Sequence, residues 1–308
     1  MNLKKPRIVS LLPAATEIVA ALGALDLLVG RSHACDFPAA VEALPSLTQP
    51  RLDPQLGSAA LNRSVRATLE AALSLYQIDA EALRALAPDI VLTQTLCAAC
   101  AVQPDDLAAA LQSWTGTQPV IIALSAMRLD EVYADITDIA AALGRRLAGE
   151  ALVTRIGARF AGVSARITPY RPVRAAVIEW LDPLMAGGNW LPELVEIAGG
   201  EPLLARAGAH SPWLAAGALE AADPDMLLLT PCGFTLARIR AEAAGFLARP
   251  EIAALRAVRE GRVFALDGNA YFNRPGPRLA DSAEILAEIL HPPDVNRFEG
   301  RAWMRLAR

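Results

Sequence analysis

Residues 128–167 read "RLDEVYADITDIAAALGRRLAGEALVTRIGARFAGVSARI". This stretch separates two halves of the chain, and its sequence pattern differs from the one that the two halves have in common. The stretch contains no proline and no strand-like run. It therefore predicts one helix that ends near Leu143 and a second, longer helix from about Arg145. On both sides, short apolar runs of β-forming residues alternate with helical segments. We expect the longer helix to join two lobes.

The alternation of strands and helices outside this stretch favours mostly parallel sheets with helices on both faces. The predicted fold is α/β, with an N-terminal lobe at residues 1–144, a connecting backbone helix at residues 145–168 and a C-terminal lobe at residues 169–308. The stretch "RLDPQLGSAALNRSVR" has no clear period and is interpreted as a loop insertion. The predicted strands are "RIVSLL" (7–12), "LLVGRS" (27–32), "LPSLTQP" (44–50), "DIVLTQ" (89–94), "VIIAL" (120–124), "RAAVIEWL" (174–181), "DMLLLTP" (225–231) and "RVFAL" (262–266).

The composition is that of a globular protein with a large apolar core. The chain has 308 residues, of which 54% are apolar. This length suits two domains and needs no disulfide to support the core. Lys and Arg number 29 and Asp and Glu number 33, so the formal net charge is −4. No block of basic residues stands out, which excludes nucleic acid as an expected partner. We expect a monomer.

The first residues, "MNLKKPRIVSLLPAATEIVAALG", have a basic start followed by apolar residues. Pro13 and Glu17 interrupt the apolar run, and the pattern indicates a strand followed by a helix rather than a signal peptide or a membrane-spanning helix. We therefore expect a cytoplasmic protein. The alternative, if a signal peptide has been removed, is a periplasmic or cell-surface protein. In a cytoplasmic protein, cysteines are thiols or metal ligands more often than disulfides.

Polar and aromatic residues cluster directly after the predicted strands. Ligands of open parallel sheets bind beyond the carboxyl ends of the strands, so these residues are candidates for ligand contact. Their positions also bring all four cysteines of the chain to strand ends. The candidates are His33, Cys35, Asp36, Cys97, Cys100, Asn189, Trp190, Cys232, Asp267, Tyr271, Phe272 and Arg274.

Five segments of the chain, taken together, form a recognisable set. They are "IVSLLPAATEIVAALGALDLLVG", "CDFP", "IDAEALRALAPDIVLTQ", "LMAGGNWLPELVEIAGG" and "RPGPRLADSAEIL". In this order they resemble the helical-backbone (class III) substrate-binding proteins of ABC importers, and within them the cobalamin-binding branch. The resemblance spans residues 7–291. It implies two lobes joined by a rigid helix, a ligand cleft between the lobes, and binding and delivery rather than catalysis.

The resemblance implies cobalamin, another corrinoid or a related metal-tetrapyrrole as the ligand, with no cofactor required. It also implies an ABC permease as partner, with Glu196 at a position that docks onto the permease. A flat macrocycle is well held by aromatic faces, which Trp190, Tyr271 and Phe272 would supply. His33 could be an axial ligand to the metal of the macrocycle. The alternative for His33 is a hydrogen-bonded loop histidine.

The four cysteines leave several interpretations open. Cys35, Cys97, Cys100 and Cys232 could bind zinc or an iron–sulfur cluster, which would make the chain a metal protein. They could instead contact the ligand, or be small buried residues, as unpaired cysteines often are. A redox pair fits poorly, because both thiols of "CAAC" precede the predicted helix at Pro104. A thiol-dependent enzyme is the least favoured, because no pattern marks an organised base.

Overall fold

The computed structural model describes residues 5–71, 74–95, 102, 104–111, 117–168, 170–293 and 295–306, and it divides into two compact units. Most of the chain before Thr154 belongs to the first unit, and the chain from Arg155 onward belongs to the second. The division therefore falls inside a long helix. The first unit comprises Met1–Leu56, Ala60–Ala126 and Asp130–Thr154, and the second comprises Gly57–Ala59, Met127–Leu129 and Arg155–Arg308.

The strands and helices follow each other in the order that the sequence pattern predicts for an α/β protein. The strands are β1 (Ile8–Ser10), β2 (Leu28–Arg31), β3 (Thr48–Pro50), β4 (Tyr76–Ile78), β5 (Ile90–Gln94), β6 (Val120–Leu124), β7 (Val173–Leu181), β8 (Leu184–Ala186), β9 (Gly200–Leu203), β10 (Met226–Leu229), β11 (Val263–Leu266) and β12 (Trp303–Arg305). The helices are α1 (Pro13–Ala21), α2 (Ser58–Glu70), α3 (Ala80–Leu86), α4 (Pro104–Leu111), α5 (Leu129–Ala142), α6 (Arg146–Ile167), α7 (Leu191–Ile197), α8 (Ala218–Ala222), α9 (Leu236–Leu247), α10 (Pro250–Ala253), α11 (Arg256–Arg259) and α12 (Leu279–Leu290).

The first unit is built on a parallel sheet with the strand order β2-β1-β5-β6. Every residue of its inner strands β1 and β5 is buried, as expected for a parallel sheet covered on both faces. Parallel pairing brings the segments that follow β1, β2 and β5 to one edge of the sheet. A separate antiparallel pair, β3 and β4, places Thr48 opposite Ile78.

The second unit is built on a mixed sheet with the order β12-β11-β10-β7-β8, and β9 also pairs with β7. Strands β7, β9, β10 and β11 are parallel, whereas β8 and β12 are antiparallel to their neighbours. Ile178 of β7 packs in an apolar cluster with Phe234, Phe246 and other buried residues. The segments after β7, β10 and β11 consequently meet at the carboxyl edge of this sheet.

The α/β fold predicted from the alternation of strands and helices is confirmed. At the start of α3, the Asp79 carboxylate caps the helix and accepts from the Ala82 N–H at 2.9 Å. The interpretation of residues 51–66 as a loop insertion is wrong, because α2 begins at Ser58. The sequence "NWLPELVEIAGG" predicts a helix that starts at Asn189, and this start is also wrong. Asn189 has the left-handed φ of 53°, so α7 begins at Leu191 with Trp190 at the cap position. In the described part of the chain, no helix is both long and apolar enough to cross a membrane.

Candidate functional site

His33 follows β2 in the first unit and lies beside two residues of the β3–β4 pair. Its backbone N–H donates to Thr48 Oγ1 at 3.0 Å, and its ring Nδ1 lies 2.8 Å from the same oxygen. The ring centroid is 5.6 Å from that of Tyr76. The hydroxyl of Thr48 therefore fixes both the backbone and the ring of His33. These residues line a small pocket together with Leu11, Pro13, Ser32, Ala34 and Val102.

The segment that carries His33 is held by Arg31, the last residue of β2. The Arg31 guanidinium donates to the carbonyl oxygens of Ser32 at 3.0 Å, Cys35 at 3.2 Å and Glu42 at 3.3 Å. Hydrogen bonds with a charged donor are stronger than neutral ones, so Arg31 sets the shape of this segment. The position of His33 consequently depends on Arg31, which no sequence pattern marks as a candidate for ligand binding.

The environment of His33 favours the neutral form of its imidazole. Desolvation by the surrounding residues is the main cause that lowers the pKa of His33, and the nearby positive charge of Arg31 lowers it further. The side chain still remains exposed to solvent at one face. An imidazole that is neutral, accessible and fixed through Nδ1 has the properties of a metal ligand.

Cys35 lies inside the first unit, with 1% of its surface exposed. Thr16 Oγ1 donates to its sulfur at 3.1 Å, and Ser32 Oγ lies 3.3 Å from the sulfur. These contacts support the packing interpretation for Cys35, since they make the thiol an internal anchor of the His33 segment. Its neighbour Asp36 is exposed.

In the second unit, Asp267 organises the turn that follows β11. Its Oδ1 accepts from the backbone N–H groups of Asn269 at 3.0 Å and Ala270 at 2.8 Å, at the start of a π-helical turn, Gly268–Phe272. Burial raises the pKa of Asp267, although these N–H groups and the charges of Arg274 and Arg278 act in the opposite direction. Asp267 therefore supports the backbone of the predicted ligand-binding turn.

The aromatic candidates of the second unit differ in exposure. Trp190 is 4% exposed and Phe272 is 1% exposed, and the Trp190 Nε1–H donates to the Phe272 carbonyl at 2.9 Å. This burial favours a packing role for both rings. Tyr271 is only half-buried, and the guanidinium carbon of Arg278 lies 4.4 Å from the centroid of its ring. Of the three, Tyr271 is the most exposed to solvent.

The remaining candidates of the second unit are mostly part of its internal structure. Arg274 is 5% exposed, and its Nη2 donates to Asn269 Oδ1 at 3.3 Å. Asn189 is half-buried in the segment before α7. Cys232 is half-buried after β10, and its N–H donates to the Glu179 carbonyl at 3.3 Å.

The predicted cysteine cluster has no support within the described ranges. Cys97 and Cys100 lie outside the described residues. Among the residues that the structure does describe, no group of three or more His, Cys, Asp or Glu side chains is arranged to hold a metal ion. Ligation by the four cysteines stays a prediction.

Two pairs of residues at the strand ends were not found by sequence reasoning. Thr48 and Tyr76 are brought to His33 by the antiparallel pairing of two three-residue strands that are far apart in the chain, which no local pattern indicates. Glu179 and Ser211 form a buried pair in which Ser211 Oγ donates to Glu179 Oε2 at 2.5 Å. A glutamate within the apolar strand "AAVIEWL" was the available signal for the second pair.

The comparisons with known proteins agree with this architecture. A family model described as "Periplasmic binding protein" matches residues 8–270. The vitamin B12 binding protein BtuF of Vibrio cholerae has a solved structure that is 23% identical over 92% of this chain and 96% of that chain, with a TM-score of 0.66. A periplasmic heme binding protein from Pseudomonas aeruginosa is 22% identical over 98% of both chains, with a TM-score of 0.73. No curated protein is similar enough in sequence to count as a match.

The family match corrects one expectation and supports another. Family members are periplasmic solute-binding proteins of ABC importers, so the predicted cytoplasmic location is wrong. The family consists of solute-binding proteins rather than enzymes, as expected. With a match that covers residues 8–270 and a fold shared with solved members, the chain belongs to the periplasmic binding protein family and is a solute-binding protein of the ABC-importer type.

Proposed function

We propose that this chain binds a flat metal-tetrapyrrole, with cobalamin or another corrinoid as the first candidate and heme as the second. The similar structures include a vitamin B12 binding protein and a heme binding protein, which supports this class of ligand. The observation that carries the proposal is the exposed imidazole of His33 in the first unit, which Thr48 fixes through Nδ1.

His33 is suited to be the axial ligand of the metal through Nε2. In the tautomer with the proton on Nδ1, the ring donates to Thr48 Oγ1 and the lone pair lies on Nε2. Metal-binding histidines are commonly oriented in this way, by a hydrogen bond from the other ring nitrogen to an oxygen. The lowered pKa of His33 helps because a proton on Nε2 would compete with the metal. This role of His33 requires only His33 and Thr48, which the structure already places within hydrogen-bond distance.

Within the second unit, Tyr271 is the candidate for ligand contact. Tyr271 offers a half-buried ring that Arg278 holds from one side. We assign contact with the ligand to Tyr271, and we assign support of the turn behind it to Asp267, Phe272 and Trp190. Aromatic contact of this kind gives a large apolar area with little loss of side-chain freedom.

Absorbance titration of the purified protein with hydroxocobalamin, and separately with hemin, tests the proposal. We expect a saturable change of the corrin or Soret bands with one of the two. In His33→Ala the spectral change due to coordination should disappear while weaker binding persists. His210→Ala, in a loop of the second unit, is the matched control and should behave as the wild type.

The two titrations separate the candidates. A change with hydroxocobalamin alone assigns the ligand to the corrinoids, and a change with hemin alone assigns it to hemes. If neither compound changes absorbance or quenches tryptophan fluorescence, the proposed ligand class is wrong. A coordination spectrum that survives in His33→Ala would contradict the role of His33 and leave the ligand class standing.

We also propose that Glu196 docks onto an ABC permease. Glu196 is exposed near the end of α7, whereas Glu193, one turn earlier, accepts from Arg128 Nη2 at 2.8 Å and from the Leu129 N–H at 2.9 Å. Glu193 is therefore engaged within the protein and Glu196 faces solvent. Glu196→Ala should reduce ligand transport in vesicles that contain the permease and leave the absorbance titration unchanged. Unchanged transport would contradict this role.

A further inference from the structure

The π-helical turn that follows β11, Gly268–Phe272, carries Tyr271 near its end. The carbonyl groups at the end of a helical turn have no N–H partner within that turn. Two consecutive carbonyls, those of Tyr271 and Phe272, instead accept hydrogen bonds from side chains of other elements. The backbone at Tyr271 is therefore held by donors that lie outside the turn.

The donor to the Tyr271 carbonyl is Ser282, a residue in the first turn of α12. Its Oγ lies 3.0 Å from the Tyr271 oxygen, and none of the serine is exposed to solvent. The hydroxyl also lies 3.2 Å from the Arg278 carbonyl, but that oxygen already accepts from the Ser282 N–H at 3.0 Å. The bond to Tyr271 is consequently the one that joins the turn to α12, and removing a buried donor of this kind is costly.

The start of α12 also contacts the ring of Tyr271. Arg278 is the residue directly before the helix, and its guanidinium carbon lies 4.4 Å from the centroid of the ring. This distance is within the range of a cation–π contact. One helix start thus holds Tyr271 at two points, at the backbone through Ser282 and at the ring through Arg278. The place where α12 begins therefore sets the position of the ring.

Other carbonyl groups of the turn are bonded from further directions within the second unit. The Nε1–H of the buried Trp190 donates to the Phe272 carbonyl at 2.9 Å. The Asn273 amide donates from Nδ2 to the carbonyls of Gly268 at 3.0 Å and Thr230 at 3.2 Å. These bonds connect the turn to the segment before α7 and to the end of β10. The turn is therefore fixed by its neighbours on several sides.

We propose that Ser282 is a positioning residue for ligand binding, because it fixes the backbone of Tyr271 and so presents the ring in one orientation. This role rests on the function proposed above, in which Tyr271 contacts the ligand. A contact residue that is already ordered loses less conformational freedom when the ligand binds, and this raises affinity. Without the hydroxyl, the Tyr271 carbonyl loses its bond to α12 and the turn can take up other arrangements. The effect of Ser282 on the ligand passes through Tyr271.

Fluorine NMR of protein labelled with 3-fluorotyrosine tests the orientation of the ring without any ligand. The chain has four tyrosines, so four signals are expected, and Tyr271→Phe assigns the signal of Tyr271. In Ser282→Ala this signal should shift or broaden. Ser164→Ala is the matched control, because Ser164 Oγ also donates to a carbonyl of the second unit, that of Ile197 at 3.4 Å, at the opposite end of α7 from Trp190. It should leave the Tyr271 signal unchanged.

A double-mutant cycle then tests whether Ser282 acts through Tyr271. The affinities for hydroxocobalamin and for hemin are measured by absorbance titration in the wild type, Ser282→Ala, Tyr271→Ala and the double variant. For the compound that binds, Ser282→Ala should weaken binding about fivefold, and it should have no further effect once residue 271 is alanine. A purely structural role of Ser282 would weaken binding by the same factor in both backgrounds.

The outcomes separate the positioning role from the proposed function. An unchanged Tyr271 signal in Ser282→Ala, or affinity losses that multiply in the double variant, would overturn the positioning role. If Tyr271→Ala binds both compounds like the wild type, the ligand contact itself is wrong, and the NMR signal distinguishes this from a failure of Ser282 to fix the ring. Trp190→Phe removes the donor to the Phe272 carbonyl but keeps an aromatic ring. It should act in the same direction, and it replaces Ser282→Ala in both tests if that variant does not fold.

Discussion

The loop after β2 in the first unit and the loops after β7 and β11 in the second lie at equivalent places, beyond the carboxyl ends of parallel strands, but they are supported differently. In the first unit, the cation Arg31 donates to backbone carbonyls and leaves His33 at the surface. In the second unit, buried carboxyl groups accept from backbone and hydroxyl donors. A polar residue after a strand can therefore be a surface group or an internal support. Its exposure and its hydrogen bonds decide which.

The two regions also respond to pH in opposite directions for one physical reason. Desolvation, whether partial or complete, disfavours the charged form of a group, so it lowers the pKa of the exposed His33 and raises the pKa of the buried Glu179. Folding therefore favours the neutral form of both. Acid acts against the first region by protonating His33, and alkali acts against the second by ionising Glu179.

The largest effect is expected for Glu179→Gln. The folded-state pKa of Glu179 is about 7 and lies above the unfolded value of 4.5, so the contribution of Glu179 to stability is greatest below 4.5 and is lost as the pH rises toward 7. The loss should be on the order of 3 kcal/mol. Urea denaturation at pH 5 and pH 8 should show that the glutamine variant lacks this fall, whereas the control Glu251→Gln, at an exposed position in α10, keeps it. A parallel pH dependence in wild type and Glu179→Gln would show that Glu179 is ionised throughout.

A smaller effect is expected from a glycine in the loop that Asp267 supports. A Cβ on Gly268 would lie 2.2 Å from the Pro231 oxygen, so Gly268→Ala must displace backbone and should cost about 2 kcal/mol of unfolding free energy. Gly245, at an exposed position in α9, has no atom within 4 Å of such a Cβ. There, alanine should stabilise by roughly 0.5–1 kcal/mol, since it favours helix. Chemical denaturation measures both, and equal effects at the two sites would contradict the close packing at Gly268.

The support of the His33 segment can be tested in the same way. Arg31→Met keeps the apolar part of the side chain and removes the donors to three carbonyl groups, which should destabilise the first unit by about 1–2 kcal/mol. Arg66→Met, at an exposed position in α2, should change stability by less than about 0.5 kcal/mol. Hydrogen exchange of residues 32–36 localises the effect. A loss of protection spread evenly over the unit would argue against a local role for Arg31.

The alternation of strands and helices was enough to predict the α/β fold and most strand positions, because covered parallel strands such as β5 begin with a run of apolar β-forming residues. Helix α2 was missed since most of its residues are partly exposed and its sequence is polar in part. Asn189 is a favourable capping residue, but hydrogen bonds with residues 208–213 hold its backbone in the left-handed conformation. Helix α7 therefore begins after it. Tertiary hydrogen bonds of this kind leave no local pattern.

The candidate site was predicted less completely than the fold, although strand ends gave the correct neighbourhood. His33 could be selected from its position after β2, but its partner Thr48 depends on a pairing of two distant short strands. Trp190 and Phe272 also follow strands or precede helices, and only the three-dimensional packing shows that they are buried. Position along the sequence identifies the edge of the sheet, whereas exposure is a property of the assembled unit.

The smallest effect concerns the protonation of His33 itself. Its pKa is lowered on folding, so the stability that it contributes is present above the unfolded value of 6.5 and is lost as the pH falls through the folded value. The change should be small because the ring is exposed and solvent screens it. The proton NMR signal of the His33 ring should titrate with a midpoint below 6.5. In Thr48→Val the titration midpoint of His33 should change, because the oxygen that contacts Nδ1 is removed. A midpoint at or above 6.5 in the wild type would contradict the desolvated environment and, with it, the advantage that a neutral Nε2 offers to a metal.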